Sequence, residues 1–112
     1  MFKVIYLVKR RPGMTHQEFV NYWYNIHAPL ACKIPGVKKY FTNEIKSESK
    51  GVAGGAEGEP EWDGVSELWF ESREAMDKGF ASPAGQADLA DIANFVDPDG
   101  VIALFVDEKQ QM

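Results

Sequence analysis

Phe2-Lys3-Val4-Ile5-Tyr6-Leu7-Val8 is a run in which large apolar side chains stand at both parities. Successive side chains on a strand point to opposite faces, so this run predicts a strand that needs cover on both sides. Lys9, Arg10 and Arg11 close it as a solvated strand end, and Pro12-Gly13 breaks the chain. Thr15 stands three residues before Glu18, a capping box that opens a helix expected from Thr15 to Ile26. At the other end of the chain, Val101 to Val106 repeats the double-sided apolar pattern after a turn at Asp97-Pro98-Asp99-Gly100.

Between these ends the elements alternate. Ile34-Pro35-Gly36 is a break, Val37 to Ile45 reads as a second strand, and Trp62 to Glu71 reads as a third. In the third strand Val65, Glu67, Trp69 and Glu71 share one face, with Ser66, Leu68 and Phe70 on the other. Ser72 caps a short helix carrying Ala75, Met76 and Phe80, and Ser82-Pro83 starts another through Ala84, Ala87, Leu89, Ala90 and Ala93. Ser47 to Glu61, with Gly51, Gly54, Gly55 and Gly58, is a flexible connection that forms either a hairpin tip or a lid over a site.

The order strand, helix, strand, strand, helix, strand is the split pattern of an α+β ferredoxin-like fold with a four-stranded antiparallel sheet. One layer of helices covers one face of such a sheet. With apolar residues on both faces of the first and last strands, the simplest cover for the second face is another copy, giving a homodimer.

The chain's 112 residues and 45% hydrophobic content suit one domain with one core. A formal net charge of −5 offers no basic patch for phosphate, so neither nucleic acid nor an anionic membrane is an expected partner. No apolar stretch approaches bilayer length and Met1 to Ile5 has no secretory pattern, so a cytoplasmic location is expected. The single Cys32 leaves no internal disulfide.

His27 is the leading candidate for chemistry. It sits at the end of the aromatic helix segment Asn21-Tyr22-Trp23-Tyr24-Asn25-Ile26, just before Ala28-Pro29, where proline should turn or kink the chain. At about 100° per residue it lies beside Trp23, on the edge of the stripe formed by Phe19, Tyr22, Trp23, Ile26 and Leu30. Imidazole titrates near neutral pH, which suits a general acid or base; the competing reading is a packed structural histidine. Trp23, Tyr6, Tyr40, Asn43 and Trp69 are the expected walls and hydrogen-bonding groups of a small-molecule pocket, though each also suits a plain core. Glu67 and Glu71 share the Trp69 face, where an inward carboxylate would orient His27 or carry a proton; the competing and favoured reading is solvated strand charges.

Other chemistries lack their residues. His16 and His27 are about 16 Å apart on one helix and cannot share a metal there, and no paired-cysteine or His-Glu-x-x-His motif occurs, so no metal is expected. Cys32 is off the histidine's face. The serine-hydrolase elbow is absent, and Gly51-Val52-Ala53-Gly54-Gly55 lacks the strand and helix of a nucleotide fingerprint.

The sequence resembles the EthD family of the dimeric α/β-barrel superfamily. The resemblance rests on Phe19-Val20-Asn21-Tyr22-Trp23, His27-Ala28-Pro29-Leu30, Ile34-Pro35-Gly36 followed by a strand with Tyr40, and the strand order. It implies two ferredoxin-like subunits joined through their sheets, a pocket between sheet and helices in each, and His27 facing that pocket. Members and relatives are tied to ethyl tert-butyl ether degradation beside an oxidising system. Others isomerise methyl-substituted muconolactones, or act as cyclases, dehydratases or decarboxylases on aromatic and polyketide compounds. Two readings follow for an apolar cyclic or aromatic ligand. One is a cofactor-independent enzyme moving a proton through His27, with a cofactor-free monooxygenase as its oxidative variant. The other is a non-catalytic binding protein or accessory to an oxidoreductase. No histidine follows residue 27 where haem-degrading relatives carry their ligand, so haem is not expected.

Overall fold

A computed structural model describes all residues, 1–112. The elements are β1 (Phe2–Arg10), α1 (His16–Tyr22), a π-helical turn (Trp23–His27), α2 (Ala28–Ala31), β2 (Lys39–Glu44), β3 (Glu48–Ser49), β4 (Glu57–Gly58), β5 (Gly64–Phe70), α3 (Arg73–Ala81), α4 (Pro83–Ile92) and β6 (Val96–Asp107). The main sheet has the order β2-β5-β1-β6 and every neighbouring pair is antiparallel. This is the expected ferredoxin-like arrangement.

Register divides the side chains between the faces. Val4, Tyr6 and Val8 on β1 lie level with Leu68, Ser66 and Gly64 on β5, under the helices. Lys3, Ile5 and Leu7 point the other way, level with Trp69, Glu67 and Val65, and with Val106, Leu104 and Ile102 on β6. The helix-covered side holds two contiguous clusters. One contains Phe19, Val20, Trp23 and Phe95; the other contains Val4, Ile34, Leu68, Phe70 and Met76. Gly64 makes the first cluster possible, because a Cβ there would stand 2.5 Å from the Trp23 ring.

The first helix departs from expectation in an informative way. The capping box forms as predicted: Thr15 accepts from the Glu18 amide, and the Glu18 carboxylate accepts from the Thr15 amide. Pro29, however, neither ends nor turns the chain at His27. A proline has no N–H to give and crowds the carbonyl four residues back, here Asn25. The π turn absorbs both problems, with the Ala28 amide bonding to the Trp23 carbonyl five residues back, and the helix continues to Ala31. The extra residue in that turn also changes the buried face. Phe19, Trp23, His27 and Ala31 are buried at steps of four, while Ile26, expected inside, is 50% exposed. Thus the irregular turn puts a histidine where a regular helix would put an isoleucine.

Two further expectations change. Asp97 to Gly100 is not a separate turn: β6 already begins at Val96, and the irregularity is a register shift against β1 between Val8 and Arg10. The Asp97 carboxylate accepts from the Asp99 amide, stabilising that irregular start. On α4 the buried stripe is Gly85, Asp88 and Asp91 rather than its apolar members, and Leu89 is 38% exposed. The connection from Ser47 to Glu61 is a small hairpin, β3 paired with β4.

Candidate functional site

Between the helices and the covered face of the sheet lies a cavity of about 30 Å³ with mostly apolar walls. On the scale of buried solvent it has room for roughly two water molecules. Tyr6 and Val8 from β1, Tyr40 from β2, Ser66 and Leu68 from β5 and Val101 from β6 form its floor. Trp23, His27 and Ala31 from the first helix, with Asp88 and Ile92 from α4, form its roof.

His27 is 6% exposed and its ring lies between two carboxylates of α4. Nδ1 donates to Asp91 Oδ2 at 2.9 Å. The other oxygen of Asp91 accepts from the Tyr22 hydroxyl at 2.6 Å and from the Asn94 amide at 3.0 Å. Burial raises the Asp91 pKa, but these donors and His27 outweigh it and hold the group below its ordinary value. Asp91 is therefore an ionised acceptor that fixes which ring nitrogen carries the donated proton. Phe95 packs against the ring, centroid to centroid 4.8 Å.

The second nitrogen has a different environment. Nε2 stands 3.1 Å from Asp88 Oδ1, within ion-pair distance but not aligned as a hydrogen bond, and this buried oxygen has no other hydrogen-bond partner. A neutral imidazole would aim a lone pair at a carboxylate, whereas an imidazolium is attracted to it. Burial lowers the His27 pKa, yet the two aspartates prevail and it lies above the ordinary 6.5. Across the cavity, burial and the Asp88 charge push the Tyr6 phenol up to about 12 and raise Tyr40 as well. Both phenols are therefore neutral donors at physiological pH.

The residues singled out from sequence divide into two groups. Tyr6, Trp23, His27 and Tyr40 meet at the cavity. Asn43 and Trp69 do not: they occupy the opposite face of the sheet, where Asn43 bonds to the Val65 carbonyl and Glu67, and the Trp69 indole donates to Glu108 at 2.8 Å. Strand alternation is the cause, since Tyr40 and Asn43 are an odd number of residues apart. Glu67 lies on that far face too, bonded to Lys3, so it does not orient His27. None of the residues from 47 to 61 lines the cavity, so the glycine-rich hairpin is not its lid.

Asp88 and Asp91 carry the site's electrostatics, and sequence reasoning passed over them. Their signal was the helical spacing of Gly85, Asp88, Asp91 and Ile92, with small and acidic residues where an apolar stripe was sought. No helix is long and apolar enough to cross a membrane. No group of three or more His, Cys, Asp or Glu side chains has the geometry to hold a metal ion.

Comparison with known proteins follows the same outline. Over 91 residues the chain is 35% identical to an uncharacterized 11.0 kDa protein from the thcB-thcC intergenic region of Rhodococcus erythropolis, covering 81% of each chain. A crystal structure of an EthD family protein from Bacillus halodurans superposes with a TM-score of 0.78 at 25% identity, over 97% of this chain and 99% of the other. A dimeric ferredoxin-like protein from Thermobifida fusca shares the fold with a TM-score of 0.66 at 18% identity, over 96% and 90% of the two chains. The EthD domain model matches residues 11–99, which include the π turn with its histidine and the α4 aspartates beside it, and the chain belongs to the EthD family.

Proposed function

We propose that the cavity beside His27 is a small-molecule site and that His27 transfers a proton on an apolar cyclic or aromatic compound, without a bound cofactor. One observation carries this reading: a buried imidazole is held at Nδ1 by an ionised aspartate while its side chain lines a cavity. A purely structural histidine needs no cavity at its ring. General acid-base catalysis needs a positioned group with a pKa near neutrality and a site closed to bulk water. Trp23, Tyr6 and Tyr40 are the walls of this site. A ring-sized compound exceeds the present volume, so binding displaces water and moves part of the wall.

The test is hydrogen–deuterium exchange at acidic carbons of cyclic ketones and lactones in D2O, followed by NMR. His27→Gln retains a group able to bond Asp91, and it should slow catalysed exchange by about a hundredfold or more. Equal rates in the two proteins would end the proton-transfer reading. Saturable binding with no catalysed exchange would support the carrier alternative, which the presence of a single imidazole at the cavity favours.

The functional unit in this reading is a homodimer joined through the uncovered face. Phe41, Ile102 and Leu104 are 53%, 42% and 44% exposed there, and the Thermobifida fusca relative in fold is dimeric. An apolar sheet face left open invites aggregation. Sedimentation at micromolar concentration should give a dimer, and a stable monomer would refute this assembly.

A further inference from the structure

The charges around the cavity narrow the ligand class, on the reading that the His27 cavity is a ligand site. Asp88 is 4% exposed and one of its oxygens is the buried side-chain atom without a hydrogen-bond partner. Leaving a buried carboxylate oxygen unpaired is costly, so a donor from outside the chain is the expected complement. Neither His27 nitrogen supplies it, and the Tyr6 and Tyr40 hydroxyls that share the cavity make no hydrogen bond to Asp88. His27 Nε2 is close but poorly directed, and His27 Nδ1 belongs to Asp91.

Charge balance points in the same direction. With His27 protonated, the imidazolium and the two aspartates retain one net negative charge. No lysine or arginine lines the cavity, and its other titratable members are the neutral phenols of Tyr6 and Tyr40. An anionic ligand would therefore meet uncompensated repulsion in a poorly screened space. A hydrocarbon would give Asp88 Oδ1 no hydrogen-bond donor. A neutral molecule with an O–H satisfies Asp88 while its ring contacts Trp23, Leu68 and Ile92.

We propose that Asp88 Oδ1 anchors a hydroxyl-recognition subsite, selecting neutral ring compounds with an O–H donor, of the phenol or enol class, over carboxylates and plain hydrocarbons.

Phenol, toluene and benzoate separate the terms, since phenol and toluene match closely in size and differ in the donor. Binding is read by NMR titration of the wild-type protein at pH 7, following the cavity residues. Phenol should bind about tenfold or more tightly than toluene, the scale of a hydrogen bond to a charged group, and benzoate should not bind. Asp88→Leu should erase the preference for phenol, and Asp88→Asn should admit benzoate. If Asp88→Leu does not fold, the wild-type order of the three probes decides alone. Equal binding of phenol and toluene at the cavity would overturn the hydroxyl subsite while leaving the His27 site intact. Absence of shifts at cavity residues with all three probes would overturn both, leaving Asp88 with ordered water only. His27→Gln should retain the phenol preference, which separates this subsite from the proton-transfer role.

Discussion

Both histidines of this chain sit between two carboxylates, and they differ in whether those carboxylates are satisfied. His16, at the start of α1, places Nδ1 2.7 Å from Asp63 and Nε2 2.8 Å from Glu44. Asp63 also takes the Arg10 amide at 2.7 Å and its guanidinium at 2.8 Å, and Glu44 takes Lys46. Both carboxylates are hydrogen-bonded, neither leaves a buried oxygen without a partner, and two cations help balance the charge. This cluster ties the first helix to the ends of β2 and β5, a structural task. His27 has the same pair of carboxylates in a buried place with no cation nearby, and one oxygen is left for something else. Similar residues thus serve as a clamp where they are complete and as a candidate site where they are not.

The largest expected effect is on stability. His27→Ala leaves Asp88 and Asp91 buried without their counter-charge and should lower unfolding free energy by about 3–5 kcal/mol, the usual scale for breaking a buried pair. His16→Ala acts on a partly solvated group and should cost about 1 kcal/mol. Urea denaturation of both variants measures the contrast, and equal losses would break it. Because His27→Ala perturbs the fold as well as the site, the glutamine variant is the better probe of chemistry.

A smaller effect should appear in pH dependence. Hydrogen bonds to Asp63 and Glu44 raise the His16 pKa against its burial, and burial of His27 is outweighed by the Asp88 and Asp91 carboxylates, so each lies above 6.5. A group whose folded pKa exceeds its unfolded value stabilises fully below the unfolded pKa and loses that contribution as pH rises through the folded one. Stability should therefore decline from about pH 6.5 upward, with each histidine variant removing part of the slope. NMR titration of the two ring signals gives the pKa values directly; a His27 value below 6.5 would mean that burial, not the aspartates, dominates.

The smallest effect concerns the hairpin. Replacing residues 50–56 with a two-residue turn between Ser49 and Glu57 should change stability by about 1 kcal/mol or less, since surface loop length matters weakly. His16 should titrate unchanged, because Glu44 and Asp63 lie outside the removed tip. A large loss would show that the tip supports the clamp.

Much of this architecture was legible locally. Double-sided apolar runs gave the first and last strands, Thr15, Ser72 and Ser82 marked helix starts by side-chain capping, and alternation along β5 divided its faces correctly. These features depend on neighbours within a few residues, and sequence displays such neighbours. His27 was visible as a candidate for the same reason. The π turn was not, because whether a proline breaks a helix depends on packing that rewards continuation.

The sequence by itself determined the order of elements, their caps and the placement of an imidazole among aromatics. Only the tertiary structure decided its partners. Asp88 and Asp91 lie more than sixty residues from His27, and they meet it because α4 crosses the π turn over the same sheet face. Likewise, register sent Tyr6 and Tyr40 to the cavity and Trp69 to the opposite side. Pairwise distance, register and desolvation are properties of the packed chain, and they turn a neutral-pH titrating residue into one held between two carboxylates with its pKa raised.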